Sequence, residues 1–215
     1  MSSPGRKAPH TGRPLMVRKT RLALVVVLGV GVVALSAATL GEMMPGRDGA
    51  PAGAEIKNPD GRTVGSLRVE DAGNGKSKIT VAVKGLPAGY HGFHVHAKGV
   101  CDPQSKDPAT GSPFFSAGGH FDLGSHPHDD HTGDLPNLLV GADGTGTATV
   151  VTDRFRVAQL FDGDGSSIMI HALADNHANI PDRYRNAAGE EGPDAETLKA
   201  GDSGGRIACG VITGS

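Results

Sequence analysis

The chain has 215 residues with 33 glycines, no tryptophan and only 4% aromatic residues. Glycine at about twice its usual share of roughly 7% argues against a helical bundle and for short strands joined by tight turns. Residues 1–40 carry six basic residues and no acid, leaving 15 basic against 23 acidic residues for the rest, net −8. A body that acidic excludes general nucleic-acid binding, which needs Lys and Arg to neutralise phosphates.

The first feature in chain order is Leu22–Leu40 (LALVVVLGVGVVALSAATL), apolar or small throughout and preceded by the basic stretch. Positive charge before an apolar run keeps the N-terminus inside and sends the downstream chain outward. Two readings stay open. One is a signal peptide with Ser36-Ala37-Ala38 as its cleavage site; the other is a membrane anchor, whose 19 residues suffice to cross at about 1.5 Å each. Either way the domain is expected to be exported, with membrane contact confined to residues 22–40. Residues 41–54 (GEMMPGRDGAPAGA) have no periodicity and read as a Gly/Pro/Ala linker. Residues 55–215 form the folded domain.

Apolar and polar residues then alternate. Thr63–Glu70 and Lys78–Val83 read as strands around Asn74-Gly75, a hairpin turn signal. Gly92–His96, Leu138–Val140, Thr145–Val151, Ser167–His171 and Arg206–Ile212 are further strands, with Asp143-Gly144 turning between the second and third of these. About eight strands and no long helix imply an all-β antiparallel sandwich or closed barrel. Lys98–Pro136 and Ala172–Gly205 are not strands, and loops that long in a compact domain are usually functional. Sandwich faces pair in several ways, which leaves a homodimer open. Cys101 and Cys209 allow one intramolecular pairing, which an exported chain meets conditions to form. Two free buried thiols are the alternative.

Nine of the ten histidines lie between His91 and His177. His94 and His96, two apart in a strand, share one face and can grip one ion. His120, His126, His128, His131 and Asp134 come next, in the first long loop, and His171 ends a later strand. Six or more imidazoles and a carboxylate exceed the needs of one tetrahedral ion, so two close ions are expected. Imidazole-rich sites suit Cu(II), and three nitrogens with one oxygen suit Zn(II).

Gly92-Phe93-His94-Val95-His96, Gly119-His120-Phe121, His131-Thr132-Gly133-Asp134-Leu135 and Gly205-Arg206-Ile207-Ala208-Cys209-Gly210-Val211-Ile212 resemble copper/zinc superoxide dismutases, in order, over roughly residues 55–215. The resemblance implies an eight-stranded Greek-key barrel and an enzyme that turns superoxide into dioxygen and hydrogen peroxide by alternately reducing and oxidising copper. It implies one copper per chain on His94, His96, His120 and His171. One zinc would sit on His120, His128, His131 and Asp134, with His120 bridging. Asp175 matches the carboxylate that hydrogen-bonds a ligand histidine of each metal. Arg206 matches the arginine beside copper that attracts the anion, and Lys199 a lysine of the approach loop. Cys101–Cys209 matches the family disulfide and His91 a structural histidine. Two departures stand out. His128 and His131 are only three apart, where most relatives have a longer segment, so His126 rivals His128; a spacing of eight from His120 favours His128. Ala200 replaces a threonine common beside the approach-loop lysine.

Rival readings are weaker. Gly201-Asp202-Ser203-Gly204-Gly205 imitates a serine-hydrolase nucleophile segment, but no matching base-histidine segment exists. Asp162-Gly163-Asp164-Gly165 lacks the glycine and the final carboxylate of a calcium loop. His177 and His10 read as a surface histidine and part of the leader. A non-catalytic copper/zinc carrier or sink is the alternative from another class; it would have lost the bridge or Arg206, which are present.

Overall fold

The computed structural model describes residues 50–214; the leader, the apolar stretch 22–40 and His10 lie outside the described residues. Among the described residues nine strands run in chain order: β1 (Ala52–Lys57), β2 (Thr63–Gly73), β3 (Lys76–Val83), β4 (Gly89–His96), β5 (Asp134–Val140), β6 (Gly146–Thr152), β7 (Ser167–His171), β8 (Arg206–Val211) and the two-residue β9 (Thr213–Gly214). They pair antiparallel in the order β5-β4-β7-β8-β1-β2-β3-β6, with β9 on β1. The end strands β5 and β6 are consecutive in sequence and joined by the turn in which Gly141 N–H donates to the Thr145 carbonyl at 2.7 Å. The sheet therefore curls into a nearly closed eight-stranded barrel, as the strand count implied. Among the described residues no helix is long and apolar enough to cross a membrane.

Alternation builds the core. Ile56, Leu67, Val69, Ile79, Val81, Phe93, Val95, Leu135, Leu138, Ile168 and Ile170 point inward and pack as one cluster. Each such side chain contributes about 1.5–3 kcal/mol when taken from water. The hairpin between β2 and β3 turns at Asn74 and Gly75, with φ of 54° and 75°, the left-handed conformation that an Asn-Gly pair tolerates.

Several boundaries differ from the sequence reading, among them the starts of β1, β4 and β5. β1 begins at Ala52, inside the expected linker, because its alternation is carried by the small residues Ala52 and Ala54, both buried. β4 begins at Gly89, three residues earlier than expected. β5 starts at Asp134, so the first long loop ends at Gly133 and not at Pro136. Pro136 is tolerated because β5 pairs only with β4 and Pro136 and Asn137 face Gly92 across a register shift.

The same pairing positions the chemistry. β4 is buried on both faces from His91 to His96. Phe93 and Val95 enter the core, while His94 and His96 face outward beneath the long loops. Register sets His94 opposite Asp134 and His171 opposite Arg206. An isolated bridge joins His96 to His120. That segment is held by Phe121 N–H donating to the Val95 carbonyl at 2.8 Å.

Candidate metal centre

The outward face of β4 gathers the expected residues. One group is His94, His96, His120 and His171, and a second is His120, His128, His131 and Asp134; within each, the donor atoms lie within 4.8 Å of one another. His120 belongs to both. Four of the remaining ring nitrogens have hydrogen-bond partners. His96 Nδ1 lies 3.0 Å from the Gly118 carbonyl and His171 Nδ1 lies 3.1 Å from the Gly204 carbonyl, leaving their Nε2 atoms 3.4 Å apart. His94 Nε2 and His128 Nε2 each donate to Asp175, at 2.8 Å to Oδ2 and Oδ1. Asp175 thus spans the two groups.

The chemistry of the donor set points to metal. His94 Nδ1 and His120 Nε2 are buried and have no hydrogen-bond partner among the described residues, a costly arrangement unless something accepts their lone pairs. On the loop side His120 Nδ1 and His131 Nδ1 are 3.3 Å apart, and His128 Nδ1 and His131 Nδ1 lie 3.0 and 3.3 Å from Asp134 Oδ2. A tetrahedral ion with bonds near 2.0 Å spaces its donors by about 3.3 Å. Three nitrogens and an oxygen at that spacing fit zinc, and the all-imidazole group fits copper.

Electrostatics separate the two groups. Burial, reinforced by the neighbouring imidazoles, holds His96 and His171 well below the usual histidine range, and burial brings His120 down to about 4. His94 is also lowered by burial, against the pull of Asp175. These rings stay neutral at ordinary pH, the form that ligates. Burial also works against charge on His128, but hydrogen bonds to Asp134 and Asp175 win and raise it to about 9. Against their own burial, the same histidine contacts hold both carboxyls well below the usual carboxylate range.

Arg206 borders a cleft of about 660 Å3 that reaches His171 and is also lined by Lys98, Asp107, Glu196, Lys199 and Asp202. Its Nη1 donates to the Phe114 carbonyl and its Nη2 to the Gly118 carbonyl, both at 2.6 Å. Gly118 O therefore receives both the guanidinium and His96. Lys199 is exposed, with Glu196 at 3.9 Å. The Cys101–Cys209 disulfide, Cα–Cα 5.7 Å, packs with Phe114, Ala117 and Met169 and ties this loop to β8 beside Arg206.

Other sequence expectations find their places. His126 lies outside both donor groups: its ring contacts Asp122 Oδ1 at 2.7 Å and is 46% exposed. His91 is buried, its ring nitrogens 2.8 and 2.9 Å from the carbonyls of His171 and Pro87. His177 keeps a side chain 40% exposed and lies outside both donor groups, while its backbone N–H donates to Asp175 Oδ1 at 2.7 Å. The hydrolase-like segment has another purpose. Ser203 is fully buried and bonds no histidine, while a Cβ on Gly201 would overlap Asp175 Oδ1 and come within 2.7 Å of His128 Nε2. Sequence reasoning missed Asn137, whose side chain donates to the Asp175 carbonyl and accepts from its N–H, both at 2.8 Å. Only its position three after Asp134 hinted at a role.

A nearly closed antiparallel barrel carrying two adjoining imidazole-rich donor groups defines a binuclear metalloprotein. The sequence model of the family described as copper/zinc superoxide dismutase (SODC) matches residues 63–212. A curated Cu-Zn superoxide dismutase of Mycolicibacterium paratuberculosis is 44% identical over 163 residues, 73% of this chain and 71% of the relative. One of Deinococcus radiodurans is 33% identical over 200 residues, 89% and 96% of the two chains. The solved Cu/Zn superoxide dismutase from Brucella abortus superposes with a TM-score of 0.59 at 32% identity, covering 76% of this chain and 99% of that one. The chain belongs to the copper/zinc superoxide dismutase family.

Proposed function

We propose that this chain catalyses superoxide dismutation, with two superoxide anions and two protons giving dioxygen and hydrogen peroxide. We assign His94, His96, His120 and His171 to copper, and His120, His128, His131 and Asp134 to zinc. The observation that carries this reading is the shared ring of His120, a member of both donor groups, with Nδ1 3.3 Å from His131 Nδ1 and Nε2 buried without a hydrogen-bond partner among the described residues. Copper supplies the electron chemistry when bound, taking an electron from one superoxide and giving one to the next.

The protein's own residues do the rest. Arg206 binds and orients the anion by charge-assisted hydrogen bonds, and two backbone carbonyls fix its guanidinium in advance. Those bonds use two of the five donors that an arginine carries. With the body at net −8, attraction must be focused at the cleft, where Lys199 adds a cation that Glu196 partly offsets. His120 Nε2 is the atom that takes up a proton and returns it to the reduced product. Asp175 orients the rings of His94 and His128 and fixes their tautomers.

Residues 1–40 act as an export leader, on the strength of the basic flank and the apolar run, and the stretch from residue 41 up to β1 as a linker to the domain. The disulfide agrees with an oxidising compartment. Superoxide consumption by the purified chain loaded with copper and zinc tests the activity. Catalysis abolished by removing copper supports it, and stable binding of both metals without turnover would make the chain a carrier.

A further inference from the structure

His128 and His131 are separated by only two residues, yet both rings reach the same group of donors. His131 is the least enclosed of the four, with 16% of its side chain exposed against 0% for His128, 3% for Asp134 and 4% for His120. Packing holds its ring less than backbone does. That backbone is pinned from both sides: its N–H donates to Asp134 Oδ2 at 3.0 Å, and its carbonyl accepts from Arg154 Nη1 at 2.9 Å. The second hydrogen of Nη1 goes to the Asp129 carbonyl at 3.1 Å, and Nη2 stands 3.5 Å from Asp130 Oδ1. Arg154 lies two residues beyond β6, so three consecutive loop residues are gripped by a side chain from outside the loop. Within the loop, Asp122 accepts from the N–H groups of His126 and Thr132 at 2.9 and 3.3 Å on the flanks. The turn itself has two backbone bonds, Asp130 N–H to the Pro127 carbonyl at 2.9 Å and Asp134 N–H to the His131 carbonyl at 3.1 Å; Arg154 supplies the anchor from outside the loop.

We propose that Arg154 is a positioning residue for the zinc ligands, holding the tight turn that lets His128 and His131 face one ion. The inference rests on the assignment of those histidines to zinc. The exposed pair with Asp130 contributes little by itself. The two carbonyl bonds matter because a planar guanidinium presents its donors in a fixed fork.

Zinc dissociation constants of the full chain, measured by chelator competition, provide the test, with copper constants and urea unfolding of the metal-free protein alongside. Arg154→Gln is expected to weaken zinc about tenfold and leave copper within about twofold, the scale of effect when a group orienting a ligand is lost. Arg154→Lys, a point charge without the fork, recovers only part of that loss. An unchanged zinc constant in folded Arg154→Gln or Arg154→Lys, or equal weakening of both metals, overturns the proposal. His131→Ala separates the two levels. If it too leaves zinc unchanged, the ligand assignment fails; if it alone weakens zinc, the role of Arg154 is what fails.

Discussion

The two donor groups share a ring but are built differently. Three of the four rings on one side stand on strands: His94 and His96 on β4, and His171 on β7. Their positions are set by sheet register, and burial keeps them uncharged. On the other side His128 and His131 stand on a loop and Asp134 only at the first residue of β5. That side is assembled by contacts from elsewhere, with Asp175, Gly201 and Arg154 all distant in sequence. A strand-borne site is organised by the fold itself, whereas a loop-borne site depends on the loop's supports. Copper loading should therefore survive changes that cost zinc.

The largest effect is expected where neither group is touched. Arg206→Ala should lower kcat/KM by about 100-fold with both metals retained, as loss of a preorganised charge at a reacting anion does. Pulse-radiolytic turnover paired with metal analysis checks this, and unchanged turnover removes Arg206 from the mechanism. Next comes Gly201→Ala, whose Cβ would intrude on the Asp175–His128 contact at a φ of 56°. Zinc affinity should fall about 10–100-fold, with a smaller loss for copper, read by competition with chelators. Equal losses would erase the contrast between the two sides.

The smallest effect is one of pH, and its sign differs between the groups. Zinc must displace the proton that His128 holds up to about 9, so apparent zinc affinity should fall by up to about tenfold per unit below that pH. The copper-side rings impose no such slope above about 6.5. In the metal-free protein the raised His128 stabilises the fold below 6.5, and that contribution is lost as pH rises through 9. His120, lowered to about 4, acts oppositely: the unfolded chain takes its proton first, so stability is lost as pH falls from 6.5 towards 4. Urea midpoints of the metal-free chain should peak near pH 6.5. A midpoint rising steadily to pH 9 would contradict the charge assigned to His128.

Legibility in the sequence divides along the same line. The His94/His96 pair, His171 and the hairpin at Asn74-Gly75 are local patterns with strand period or turn chemistry behind them. The resemblance added the bridging role of His120, whereas the cysteine pairing already followed from there being only two cysteines. Asn137, Gly201 and Arg154 were invisible because they act across 38, 26 and 23 residues on a backbone or carboxylate that no spacing rule connects to them. β1 was not named as a strand for another reason: alanines carry part of its inward face, and hydropathy registers them weakly. Gly201 was even legible in the wrong sense, as part of a nucleophile segment.

Crystals of the metal-loaded chain, with anomalous maps at the copper and zinc edges, test the central claim most directly. The account predicts two peaks. Copper should lie within bonding distance of His94 Nδ1, His96 Nε2, His120 Nε2 and His171 Nε2; zinc should lie about 2.0–2.1 Å from the Nδ1 atoms of His120, His128 and His131, with Asp134 completing its shell. A single peak, or zinc bound through His126 with His128 turned away, would contradict it.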